Sequence, residues 1–208
     1  MSMQDLLNRR RSVRHFDPSA PLAPELLSAW IAGASRSPNG NNIQAVRYLH
    51  IADPDLRARL LPAANGQKPV TEASALVAVL GDRRAFEADK IRRILEDGHA
   101  LGYFDAATRD NLANAAIGYY EARTPEELNV ELTRDASLAA MSLILLANEA
   151  GYQTLTMSGY DSAELRETLE LPEHFADVML IAIGKSLSEG HRTVRHPVER
   201  ILFTDRIR

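Results

Sequence analysis

The sequence contains no cysteine. That removes disulfides, thiol nucleophiles, Cys-ligated zinc and iron–sulfur clusters together, and is compatible with a reducing compartment. Long apolar runs are also missing: the stretch Leu143 to Ala147 is far too short to span a bilayer. The opening Met-Ser-Met-Gln-Asp lacks the basic start and apolar core of a signal peptide. Nor is there a positive balance, since 24 Lys and Arg stand against 28 Asp and Glu, a net charge of -4. That argues against a general nucleic-acid binder, which is usually basic over the domain or along one face. The expectation is a soluble, cytoplasmic protein with no nucleic acid and no membrane as partner. The histidines at 15, 50, 99, 174, 191 and 196 share no ligand spacing, so a metal site has no support. No Gly-rich phosphate loop of the P-loop or dinucleotide kind is present, and no internal repeat, low-complexity segment or linker.

What is there suits one domain spanning 1–208, with 45% hydrophobic and 25% charged residues. The apolar spacing predicts a short helix from Met3 to about Arg10 and a helix opening at Pro24. Val46 to Ile51 reads as a strand. Asp53-Pro54 starts a helix, with Asp53 as cap and Pro54 in the first turn. Ala75 to Leu80 is a buried strand, and two less regular helices fill 83–123. Thr124-Pro125-Glu126-Glu127 is a capping box. The chain from Ala136 to Ala150 is apolar nearly all round, as in a core helix or a subunit interface. Gln153 to Met157 and Val178 to Ile183 are strands around a helix from Ser162 to Leu169, for which Asp161 and Glu164 form a second capping box. The apolar triplet Ile201-Leu202-Phe203 reads as a last, detached strand. Four or five strands among helices without strict βαβ alternation give an α+β fold.

The polar residues gather in clusters. Arg10-Arg11-Ser12-Val13-Arg14 packs three guanidiniums and a hydroxyl into five positions. Such a set suits phosphate, although cations also simply favour the negative end of a preceding helix. Ser37-Pro38-Asn39-Gly40-Asn41-Asn42-Ile43-Gln44 is a turn rich in amides. Asn65-Gly66-Gln67-Lys68-Pro69 is a second polar turn, Ser158-Gly159-Tyr160-Asp161 a third, and Arg192 to Glu199 a basic tail.

Taken in order, Arg10-Arg11-Ser12-Val13-Arg14, the Ser37 to Gln44 turn, Ser158-Gly159-Tyr160-Asp161, and Gly184 with Arg195-His196-Pro197 resemble the nitroreductase family over essentially the whole chain. The resemblance implies a mostly antiparallel sheet flanked by helices, in an intertwined homodimer whose C-terminal strand is exchanged to the partner. It implies FMN at the subunit interface, reduced by NADH or NADPH and reoxidised by a small acceptor in ping-pong fashion. On this pattern Arg10, Ser12 and Arg195 match phosphate-contacting positions, and Arg11 more weakly. Asn42 and Gln44 suit the ribityl hydroxyls and the ring edge. Arg14 matches the cation beside flavin N1 and O2, and the Gly159 N–H the donor facing N5. Met157 and Ser158 lead into that turn and count with it as cofactor positions. Gln67 or Lys68 is expected at the pyrimidine edge. No side chain is required as a nucleophile, because the flavin carries the hydride. Asn39, Ala45, Ser158 and Thr193 depart from the residues usual in relatives, so the acceptor does not transfer with the resemblance. The alternatives are a branch using FMN for another reaction, or a flavin or phosphate-ligand binding protein without turnover.

Overall fold

The computed structural model describes residues 2–207. The chain opens with α1 (Met3–Arg9), capped by Ser2 and Asp5 in a reciprocal box, and α2 (Pro24–Ala34). Then follow β1 (Val46–His50), α3 (Pro54–Leu60), α4 (Pro69–Glu72) and β2 (Ala75–Asp82). Next are α5 (Ala88–Ala100), α6 (Ala106–Glu121) and α7 (Pro125–Glu149). The order ends with β3 (Gln153–Met157), α8 (Ser162–Thr168) and β4 (Phe175–Gly184). Four strands form one fully antiparallel sheet in the order β1-β2-β4-β3, within an α+β fold.

Strand β2 shows why helices cover both faces. All eight of its residues are buried, and successive side chains point to opposite sides. Ala75, Val77 and Val79 face α2 and α7, with Trp30, Leu143 and Ile144. Leu76, Ala78 and Leu80 face a second core with Leu60, Val70 and Leu165 from α3, α4 and α8. Burying one such Val or Leu is worth about 1.5–3 kcal/mol, so the two layers fix the strand's register. A third cluster, with Ile43, Ile91, Ile117, Tyr120 and Leu132, holds α5 and α6 against the amide turn.

The apolar stretch 136–150 is the second half of one 25-residue helix beginning at Pro125 behind the Thr124–Glu127 capping box. Its Ala136, Ala139, Ala140, Leu143, Ile144 and Ala147 are buried, while Leu138 remains 44% exposed. At α8 only half of the expected capping box forms: Asp161 accepts from the Glu164 N–H, with no reciprocal bond. No helix among the described residues is long and apolar enough to cross a membrane.

The detached strand expected at 201–203 does not form within the chain. Val198–Arg200 is a 3₁₀ turn, and Ile201, Leu202 and Phe203 beyond it are 63%, 68% and 47% exposed. A strand is made by its neighbour's backbone, and among the described residues the backbone N–H groups of Ile201 and Leu202 bond only back to Val198. Residues 191–207 are exposed throughout.

Candidate functional site

The arginine cluster leaves α1 as an extended segment anchored in the core. The Arg10 N–H caps the helix on the Leu6 carbonyl. Ser12 then bridges Thr154 of β3 in parallel, with the Val13 N–H donating to the Thr154 carbonyl at 3.1 Å. Val13 and Phe16 are fully buried, whereas Arg14 is exposed and Arg10, Arg11 and Ser12 are half-buried. Among the described residues no carboxylate pairs with Arg10, Arg11 or Arg14. Arg11 turns back instead, donating to the carbonyls of Asn8 at 2.7 Å and Arg10 at 2.8 Å. Its guanidinium thus serves the C-terminal end of α1, as cations at such ends do.

Chain passing under the tail presses on this segment. A Cβ on Gly190 would sit 2.5 Å from Arg11 Cβ and 2.8 Å from the Ser12 carbonyl oxygen, so only glycine fits. The contact closes a cavity of about 750 Å³ in which Arg10 and Arg11 meet Arg192, Asn148 and Gln153. Arg195, expected beside Arg10, does not line this cavity. It donates to Thr193 Oγ1 and the Val194 carbonyl on the exposed tail. Motif spacing selects Arg195, whereas within one chain it is Arg192 that lines the cavity with Arg10.

The other two turns near this edge are joined to each other. Asn65 Nδ2 donates to the Gly159 carbonyl at 2.7 Å, Gln67 Nε2 reaches the same oxygen at 3.5 Å, and the Asp161 N–H donates to the Ala63 carbonyl at 2.8 Å. Gln67 is therefore a partner of Gly159, and Asn65, not singled out from sequence, is the nearer one. Its signal was the Asn-Gly pair, both members of which adopt positive φ, 55° and 69°. Lys68 is exposed at the start of α4. The Gly159 N–H has no acceptor among the described residues, and a Cβ there would meet nothing within 4 Å. Glycine is thus not demanded by the chain's own packing, and the turn offers a donor on an open face. Met157 is buried, while Ser158 is exposed; both line a cavity of about 310 Å³ against Ser137 and Met141 of α7. Burial, helped by the neighbouring Asp177, pushes the Tyr160 hydroxyl well above the usual phenol range, so it stays protonated.

The amide turn lies elsewhere. Asn41, Asn42 and Gln44 take φ of 48°, 54° and 51°, a left-handed backbone that Asn tolerates and Gln does so less readily. Gln44 N–H donates to Asn39 Oδ1 at 3.0 Å, closing the turn on itself. Asn42 and Gln44 are exposed and line a cavity of about 400 Å³ with Leu101, Tyr103 and Phe104. This turn feeds β1, at one edge of the sheet, while Ser12 and Gly159 attend β3 at the other. Three inter-strand steps of 4.7–4.9 Å separate the edges by roughly 14 Å. Within one chain the structure therefore groups Arg10 to Arg14 with the Gly159 side, but not with Asn42 and Gln44.

The sequence pattern described as the nitroreductase family matches residues 7–185. The chain is 33% identical over 199 residues to Bacillus subtilis MhqN, which carries the name of an NAD(P)H nitroreductase, covering 95% of this chain and 96% of that one. It is 31% identical over 199 residues to a CLA biosynthesis enone reductase of Lactiplantibacillus plantarum, covering 93% and 90%. A crystal structure from Exiguobacterium sibiricum, described as a nitroreductase in complex with FMN, superposes with a TM-score of 0.92 at 28% identity, covering 99% and 98%. On the family match over most of its length, and on relatives alike from end to end, the chain belongs to the nitroreductase family.

Proposed function

We propose that the chain forms, with a second copy, an FMN site that takes hydride from NADH or NADPH and reduces a small organic acceptor such as a nitroaromatic, quinone or enone. The observation carrying this reading is the division of the candidate residues between opposite sheet edges. Neither half is a complete site. A twofold dimer can supply the missing half, since in a self-complementary interface residue i of one chain meets residue j of the other while j meets i. The exposed apolar tail, with Val194 95% and Ile207 80% exposed, is surface suited to wrapping such a partner.

The donor set fits FMN. Arg10 and Arg14 carry unpaired cations on a rigid backbone, Ser12 adds a short-range hydroxyl, and Gly159 offers an unused N–H beside open space. Arg10 and Ser12 would hold the phosphate, with Arg192 joining Arg10 in its cavity and Arg195 following on the tail. Arg14 would place positive charge at the electron-rich edge of the ring. Asn42 and Gln44 would supply neutral donors and acceptors from the partner. When bound, FMN supplies the hydride chemistry, and the protein supplies binding, orientation and charge. Donor and acceptor then use the same face in turn, which is ping-pong kinetics. The names of the relatives support the donor and the cofactor, and the enone reductase widens the acceptor class.

The test is a spectrum. Purified protein with FMN should show the oxidised band near about 450 nm, lose it on anaerobic addition of NADH or NADPH, and regain it with a nitroaromatic or quinone. Protein that binds FMN yet is reduced by neither nicotinamide overturns the reductase reading. A colourless protein that ignores FMN overturns the cofactor as well.

A further inference from the structure

We propose that Asp135, together with Tyr120, is the positioning group of the amide turn, setting the backbone from which Asn42 and Gln44 reach the cofactor. The proposal rests on the FMN reading for its consequence, but its geometry stands alone. Asp135 lies on α7 and is only 4% exposed. Its Oδ2 accepts the Gly40 N–H at 3.1 Å. Seven residues on, two turns along the same helix face, Ser142 Oγ meets Ser37 Oγ at 2.6 Å. One helix therefore grips the turn at its first residue and at its middle. From α6, the Tyr120 hydroxyl accepts from Asn41 Nδ2 at 3.1 Å. That hydroxyl lies 3.0 Å from where a Gly40 Cβ would be, so Gly40 is glycine to let the two helices close on it.

Three residues in left-handed conformation out of four consecutive positions, 41–44, do not persist unaided. The polar contacts around them are the restraint. Asp135 is an expensive way to fill that place, because a buried carboxylate without a cation is disfavoured against a small apolar residue. Among the described residues no cation pairs with it, since the adjacent Arg134 bonds Glu131 at 2.5 Å. Burial accordingly holds the Asp135 carboxyl above the usual range, with the charge of Glu131 adding to the effect. A group that costs stability and is aimed at a strained turn is there to fix that turn.

The experiment uses full-length protein and reads two signals, FMN affinity and hydrogen exchange of amides 40–44. Asp135→Ala should weaken FMN binding by about tenfold and speed exchange in that segment, from loss of a bond to a charged acceptor. Asp135→Asn keeps an oxygen in place and should stay within roughly threefold of the parent on both signals. Asp135→Ala with parental exchange and binding overturns the proposal, as does Asp135→Asn failing as badly as Ala. If the alanine variant does not fold, Tyr120→Phe keeps the core and deletes only the acceptor for Asn41; unchanged exchange there also overturns it. Should the parent bind no FMN, the cofactor reading falls, and exchange at 40–44 still decides for or against Asp135.

Discussion

The side-chain amide of Asn65 donates to the carbonyl oxygen of Gly159 at 2.7 Å, joining two turns 94 positions apart in sequence. One peptide plane is thereby fixed from its oxygen side, and the neighbouring Gly159 N–H is left without an acceptor among the described residues.

That relationship predicts the behaviour of Asn65→Gly. Glycine accepts the φ of 55° without strain, so folding stability should fall only by the missing bond and the freer unfolded chain, about 1–2 kcal/mol. The lost donor should weaken FMN binding about fivefold, the worth of roughly 1 kcal/mol. Equal affinity in the variant, by fluorescence titration of FMN, would show that the bond does not orient the Gly159 turn.

Arg10 and Arg14 should separate by readout. Arg10→Gln should raise the FMN dissociation constant about tenfold, as loss of one charge-assisted phosphate contact does. Arg14→Gln should also lower the midpoint potential of the bound flavin, by about 30 mV, or ~1.4 kcal/mol for a two-electron couple. Spectroelectrochemistry distinguishes the two. Identical potentials in both variants would mean that the cluster is one phosphate site and not two sites.

The tail can be removed outright. Deleting residues 192–208 should abolish dimer formation and FMN retention together, measured by light scattering and absorbance. A truncated protein that stays dimeric and yellow contradicts the wrapping role. Gly190→Val tests the root of the tail separately: its side chain collides with Arg11 and the Ser12 carbonyl, so FMN affinity should fall even where the dimer survives.

The buried carboxyl of Asp135 gives a pH signature. Its folded pKa lies above the ordinary value of 3.8, so its burial is tolerated at low pH, and the advantage is lost as pH rises through the folded pKa. Facing it are Glu131, held low by the Tyr119 hydroxyl, Tyr120, held high by burial, and Arg134, which pairs with Glu131. The Tm of Asp135→Asn minus that of the parent should therefore grow from pH 4 to pH 8. A flat difference would place the carboxyl in a solvent-like setting.

The order of elements was readable because each boundary carries local chemistry: Pro24, Asp53-Pro54 and Thr124 start helices, and the unbroken apolar run of β2 is a strand buried on both faces. The triplet 201–203 forms no strand within one chain, because an apolar run becomes a strand only beside a neighbouring backbone, and a strand exchanged to a partner would find that neighbour there. At the site, glycine and amide turns were legible, since such residues announce unusual backbone. Asn65 and Arg192 were not chosen, as their partners are brought to them by the fold. Asp135 was hidden for another reason. It opens an apolar stretch, where helical spacing marks it as a core position, and nothing local says that a turn 95 residues earlier will need its oxygen.

Val13 and Phe16, both fully buried, lie on either side of Arg14 and hold the chain that carries the cations. An anion arriving there meets a backbone already ordered, and only side-chain rotamers remain to be restrained, at about 0.5–1.5 kcal/mol each. If the segment holds the FMN phosphate as proposed, capture there is limited by encounter rather than by loop folding, and added salt should slow arrival more than it hastens departure.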